Sequence, residues 1–194
     1  MGLTPKAEKE PPVTCGLEVH QQLDTGKLFC RCPTRLHEDT PAFTFHRQLH
    51  AVASELGEFD AAALEAINKK QIYHYQGHLD NTCLVEADEE PPHEVDADAL
   101  TTALEVSLLC HSTLVDCILV MRKTVLDGSN TSGFQRTALV SVGGYLELND
   151  GNKIRVQSLM LEEDSCRPIE RKEHDATYRL DRLGFPLIEL STLP

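Results

Sequence analysis

From Val13 the chain alternates strictly between apolar and polar residues. Val13, Cys15, Leu17 and Val19 fall on one side, and Thr14, Gly16, Glu18, His20 and Gln22 on the other. This is the period of a strand with one face in a core and the other turned toward a polar site. The stretch "DTGK" that follows, 24–27, reads as a turn. Residues 1–12, rich in Lys, Glu and Pro, read as a flexible leader to a domain spanning 13–194.

Further along, "EFDAAALEAINKK" predicts a short helix with Asp60 near its N-cap, and "QIYHYQGHL" a strand in which Tyr73, His74, Tyr75 and His78 carry no assigned chemistry. A second helix is predicted over "DADALTTALEVSLLCH". Asp96 caps it, and Leu100, Ala103, Leu104, Leu108 and Cys110 recur at helical spacing. The pattern returns to β in "TLVDCILVMRKTVL". It is clearest in the hairpin formed by "TALVSVGGYLEL", the turn "NDGN" and "KIRVQSLML". Helices and hairpins are mixed without regular βαβα alternation, so the fold expected is α+β, a largely antiparallel sheet with flanking helices. The last block, "RLGFPLIELSTLP", stops at a proline without a closing element and reads as the front part of a longer polypeptide.

Composition narrows the function. The 194 residues are 41% hydrophobic, enough to bury a core. No apolar run approaches the roughly 20 residues that span a bilayer, and the first residues lack the apolar segment of a secretory signal, so no membrane partner and a cytoplasmic location are expected. Seven cysteines without such a signal suggest a reducing compartment and thiols, not disulfides. The formal charge of -13, from 31 acidic against 18 basic residues, argues against a segment that grips a phosphate backbone by itself.

Four groups of residues can carry chemistry. Glu18 and His20, at i and i+2 on one strand, point into the same space; a solvated strand face and a shared cation site both satisfy that pattern. "LEEDSC" sets Glu162, Glu163 and Asp164 at a strand end, where alternation sends Glu162 and Glu163 to opposite faces, so only one of them, with Asp164 as a further candidate, can share a site with the first pair. Oxygen ligands with one nitrogen suit Mg²⁺ better than Zn²⁺. The loop "LDGSNTSGFQR" lacks the order of a P-loop, yet its amides and hydroxyls with Arg136 can cradle an anion; an ordinary connection is the alternative. Cys30 and Cys32, with Cys83, supply part of a zinc site that needs a fourth ligand, Glu86 or a histidine; packed free thiols are the other reading.

The blocks "GLEVHQQLDTGKLFCRCP", "FHRQLHAVASELGEFD", "CLVEADEEPPHEVD", "RKTVLDGSNTSGFQRTALV", "LEEDSCR" and "YRLDRLGFPLIEL" together resemble, in order and from Cys15 on, the N-terminal part of the GatB/GatE family of glutamyl-tRNA(Gln) amidotransferase subunits. The DGSNTSGFQR loop resembles the archaeal GatE form and not the bacterial and organellar GatB form. The resemblance implies a cradle related to glutamine synthetase. It also implies an ATP- and Mg²⁺-dependent phosphorylation of the γ-carboxylate of glutamate carried by tRNA(Gln), then amidation by ammonia from an asparaginase-like partner, the D subunit, in a hetero-oligomer. Carried over by motif, it implies that Glu18, His20, Glu162 and Glu163 hold metal and act in catalysis. Arg136, with Ser129, Ser132 and Gly133, is then a further contact to the nucleotide or phosphoryl group. Asp181, Arg182 and Glu189 lie in a family block without an assigned role, and a buried ion pair is the alternative for them. The bacterial GatB form carries a second C-x-x-C pair where this chain reads "CLVE", so zinc is not expected here.

Two other classes of function compete. The segment can be a metal-stabilised scaffold and docking module, with the same acids structural. A nucleic-acid module is disfavoured by charge and by the absence of an aromatic platform or basic stripe. The one local basic cluster, Arg167, Arg171, Lys172, Arg179 and Arg182, is interleaved with Glu170, Glu173, Asp175 and Asp181. Contact with the tRNA is therefore expected to come mainly from the full-length protein.

Overall fold

A computed structural model describes residues 13–48, 61 and 71–194. The predicted leader at 1–12 lies outside the described residues, as does nearly all of the helix expected at 58–70.

The strands are β1 (Glu18–Gln22), β2 (Phe43–Arg47), β3 (Ile72–Gly77), β4 (Thr113–Leu114), β5 (Val120–Thr124), β6 (Phe134–Val142), β7 (Tyr145–Glu147), β8 (Lys153–Glu163), β9 (Arg167–Arg171), β10 (Asp175–Arg179) and β11 (Pro186–Thr192), with helix α1 (Ala97–Leu109) between β3 and β4. They form two sheets. The first runs β1-β11-β8-β6-β4, with β5 also on β6 and β7 also on β8; the second runs β2-β3-β10-β9. Every named pair is antiparallel except β10 with β3. This is the α+β, largely antiparallel architecture that the pattern predicts.

Asp96 caps α1 by accepting from the Ala99 N–H at 2.9 Å, which satisfies one of the helix's free donors. The buried side of α1 is lined by Ala99, Ala103 and Ser107, with Leu100 and Leu104 partly buried beside them. Small residues let the helix lie close to the sheet, and Leu108, expected inward, is left exposed. The core beneath α1 comprises Leu28, Phe29, Val140, Val156, Leu159, Leu161, Ile188 and Leu190. A second core, around Tyr73, Tyr75, Cys166, Tyr178, Leu180 and Leu183, belongs to the second sheet.

Two expectations are corrected. The alternation at 13–22 yields strand only from Glu18. Its apolar side is not in the core, because among the described residues β1 is an edge strand bonded to β11 alone and Leu17 and Val19 stay exposed. The run "TALVSVGGYLEL" is two strands sharing one partner. It breaks at Gly143 and Gly144, both at positive φ, and a Cβ on Gly144 would sit 2.3 Å from the Cys110 carbonyl oxygen. No described helix is long and apolar enough to cross a membrane.

Candidate active site and its cation ligands

Leu161, Ile188 and Leu190 enter the core on the side of the first sheet covered by α1, so period two turns Glu162 and Glu189 to the opposite, open face. There five neighbouring strands each contribute to one row. His20 pairs in register with Glu189, and its Nε2 is 3.2 Å from Glu189 Oε2, 3.4 Å from Glu18 Oε1 and 4.0 Å from Glu162 Oε1. On the far side of Glu162, Thr137 of β6 donates its hydroxyl to Oε2 at 2.9 Å, and Lys123 of β5 sets its ammonium 3.9 Å from Glu162 and 3.6 Å from Glu189. Glu18, His20 and Glu189 offer ligand atoms within 4.8 Å of one another.

Burial separates the roles of these groups. Glu162 is 2% exposed, and desolvation holds its carboxyl above the usual range; the Thr137 hydroxyl and the Lys123 charge oppose that rise. A cation would complete the charge balance that Lys123 supplies only in part. Three carboxylates and an imidazole make a donor set suited to a hard divalent ion with positions left for other oxygens. Beside it lies an open depression of about 590 Å³ lined by His20, Gln22, Lys123, Gln135, Glu162 and Asp164.

Glu163 and Arg136 are not part of this row, which corrects the expectation that they share the metal shell and the phosphoryl contacts. Glu163 faces the other side of β8, where Arg136 donates to both of its oxygens at 3.2 and 3.1 Å and the Arg136 backbone N–H donates a third bond at 3.0 Å. The guanidinium lies over the rings of Phe134 and Phe29, at 5.3 and 5.8 Å from their centroids. Burial pushes the Glu163 carboxyl up, while Arg136 pulls it down. The pair locks β6 to β8 from the core side.

The loop containing Ser129, Ser132 and Gly133 also departs from an anion cradle. Three tyrosine hydroxyls of the second sheet donate to its carbonyls: Tyr73 to Leu126 at 3.2 Å, Tyr178 to Asp127 at 2.7 Å and Tyr75 to Gly128 at 2.7 Å. Gly128 is at φ 80°, and a Cβ there would strike the Tyr73 ring at 2.1 Å. Ser132 donates to the Phe134 carbonyl, and the Ser129 carbonyl accepts from the Cys166 N–H. The loop ties the two sheets together, with its carbonyls and not its amides facing its clamps.

Cys30, Cys32, Cys83 and Glu86 converge, with ligand atoms within 4.8 Å of one another, so Glu86 is the fourth group that the sequence left open. The Cys30 thiol donates to Glu86 Oε1 at 2.8 Å, and the fully buried ammonium of Lys27 lies 3.7 Å from the same oxygen. Lys27 places a positive charge where a metal would have to compete. Interaction with the Cys30 side chain lowers the Cys32 thiol to about 7, whereas burial raises Cys83 to about 11.

Asp181 is wholly buried and paired with Arg167 at 2.7 Å, not with Arg182. Burial alone would raise its carboxyl; the bonds from Arg167 and from the N–H groups of His37 and Arg182 outweigh it and hold the carboxyl below the usual range. Arg182 spends its guanidinium on the carbonyls of Ser165 and Cys166. Glu189, which sequence left without a role, belongs to the open-face row, and so does Lys123. The signal for Glu189 was its position between Ile188 and Leu190, a lone carboxylate on the polar side of an apolar strand.

The architecture and the row of groups define an α+β domain that presents a face of clustered carboxylates on its larger sheet, whose named pairs are all antiparallel. A family model described as "GatB/GatE catalytic domain" matches residues 13–194, and the chain belongs to this family. It is similar to the E subunit of glutamyl-tRNA(Gln) amidotransferase from Sulfurisphaera tokodaii, with 56% identity over 180 residues, 92% of this chain and 28% of the relative. It is also similar to the proteins of the same name from Archaeoglobus fulgidus, 52% identical over 92% of this chain and 29% of the relative, and Thermoplasma volcanium, 49% identical over 94% and 30%. The chain thus spans under a third of the length of these relatives.

Proposed function

We propose that this chain is the N-terminal part of the catalytic subunit of a glutamyl-tRNA(Gln) amidotransferase. In this reading the open-face row binds Mg²⁺, and the whole enzyme phosphorylates the γ-carboxylate of tRNA-borne glutamate with ATP before ammonia from an asparaginase-like partner, the D subunit, replaces the phosphate. The observation that carries it is the convergence of Glu18, His20, Glu162 and Glu189 from three strands onto one face, beside a depression open to a large substrate.

Joining a γ-phosphate to a carboxylate brings two anions together, and a bound divalent ion neutralises charge at the reacting oxygens. The chain's own groups prepare that event. Glu18, His20, Glu189 and Glu162 would hold the ion, Thr137 fixes the Glu162 rotamer, and the Lys123 ammonium at the rim would receive phosphate oxygens. Ser129, Ser132, Gly133 and Arg136 are assigned to supporting the sheet on which these groups stand.

The test uses the full-length protein with its partner, glutamyl-tRNA(Gln), ATP and Mg²⁺. Glu18→Gln is expected to abolish ATP-dependent phosphorylation of the glutamyl group while the partner's ammonia release continues. Glutamyl phosphorylation at the unsubstituted rate would refute the assignment.

A further inference from the structure

We propose that His37, Asp39 and His78, with Asp80 beside them, bind a divalent transition-metal ion of the zinc type at a site separate from the open-face row and from the cysteine cluster. The sequence writes this site twice in one spacing: "HED" at 37–39 and "HLD" at 78–80 each set an aspartate two positions after a histidine. The fold brings the copies together. His78 directly follows β3, residues 37–39 lie on the connection into β2, and β2 pairs with β3.

The two imidazoles stack with centroids 4.1 Å apart and planes inclined by 10°. Asp39 Oδ1 lies 3.1 Å from His37 Nδ1 and 3.3 Å from His78 Nε2, and Asp80 Oδ1 lies 3.2 Å from His37 Nε2. One ligand atom from each of His37, Asp39 and His78 falls within 4.8 Å of the others.

The hydrogen-bond account of this cluster does not close among the described residues. His78 is 4% exposed, and among the described residues neither of its ring nitrogens has a hydrogen-bond partner, nor has His37 Nε2, although oxygens of Asp39 and Asp80 lie 3.3 Å from His78 Nε2 and 3.2 Å from His37 Nε2. Buried polar nitrogens are rarely left so. If His37 Nδ1 donates to Asp39, its Nε2 lone pair faces a carboxylate oxygen, two acceptors with nothing between them. A metal ion answers both deficits by accepting imidazole lone pairs and neutralising the carboxylates. Two imidazoles with carboxylates suit zinc-type ions, whereas Mg²⁺ seeks oxygen.

The backbone around the site is already held. The His37 N–H donates to Asp181 at 3.0 Å, its carbonyl accepts from Arg167 and from Arg179, and Asn81 reaches back to the Arg35 carbonyl at 2.6 Å. Only the rings need to tilt out of their stack to reach ligand distance, about 2.0–2.1 Å. Asp39 and Asp80 are largely exposed and leave the ion a route from solvent. Binding would clamp the connection into β2 onto the end of β3.

The test titrates Zn²⁺, and in parallel Co²⁺, into the full chain carrying Cys32→Ser and Cys83→Ser, with Mg²⁺ in excess to fill the oxygen site. We expect one equivalent bound, cobalt ligand-field absorption without thiolate charge-transfer bands, and zinc-dependent ¹⁵N shifts of the His37 and His78 ring nitrogens. The same ring shifts are expected in the unsubstituted chain, and His78→Asn should weaken binding by at least about 100-fold while His93→Asn leaves it unchanged. Ring nitrogens of His37 and His78 that do not move with zinc would overturn the proposal. So would both rings being found doubly protonated at neutral pH, as a charged stack held by the two aspartates.

Discussion

Glu162 and Glu163 are consecutive residues of β8 that serve opposite sides of one sheet: the first points to His20 across the open face, and the second is gripped through both oxygens by Arg136 in the core. Their separation follows from the two-residue period of a strand, and it divides the open-face row from structural support in the core.

That division predicts two different phenotypes for the same substitution. Glu163→Gln leaves the Arg136 guanidinium buried without its counter-charge and should cost about 3 kcal/mol of stability in urea unfolding, with little change in Mg²⁺ affinity once folded. Glu162→Gln should weaken Mg²⁺ binding about tenfold, read by calorimetry, and leave stability nearly intact. Exchanged phenotypes would contradict the geometry.

The ion pair of buried Asp181 with partly buried Arg167 predicts a defined acid limb. The folded carboxyl lies below its unfolded value of about 3.9, so its contribution is fully present above that pH and fades as pH falls through the folded value. Asp181→Asn should therefore cost about 3 kcal/mol near neutrality. The gap to the parent should narrow in denaturant melts below about pH 4. A gap that stays constant to lower pH would show that the charge is not what stabilises.

Cys32, lowered to about 7, should react with iodoacetamide well before Cys83, raised to about 11, at pH 7.5 to 8, as read by mass spectrometry of the digested protein. Metal-free thiols should label at the same rate with and without a chelator. Protection that a chelator releases would mean that the cysteine cluster holds an ion despite Lys27.

The basic cluster suggested by the sequence should not bind tRNA in this segment. Arg167, Arg179 and Arg182 are spent on internal acceptors, Lys172 pairs with Glu170 at 3.0 Å, and Arg171 lies 3.6 Å from Asp127. Fluorescence titration at two salt concentrations is expected to show no micromolar binding; tight binding with a steep salt slope would disprove it.

Much of the fold was legible wherever one physical signal dominated. Period two marked β8 and its hairpin, and Asp96 before an apolar helical stripe marked α1. The same signal misplaced the apolar side of β1, since alternation tells which residues share a face but not whether anything covers it. For the site, local spacing brought Glu18 with His20 and parted Glu162 from Glu163. It could not supply Lys123 or the His37–His78 stack, because those meetings depend on which strands become neighbours. The loop of Ser129 and Ser132 misled for a related reason: glycines and hydroxyls look alike whether the backbone offers its amides to an anion or its carbonyls to tyrosines.

The pairing of β1 with β11 joins His20 to Glu189, 169 positions downstream. During synthesis, Glu18 and His20 emerge early, yet the strand that must lie beside them cannot do so until Thr192 has left the ribosome. The row therefore cannot assemble while Thr192 is still inside the ribosome, however much of the helix and hairpins has already formed. A divalent ion taken up there, as proposed, would report that translation has passed this point and that the sheet has closed on its first strand.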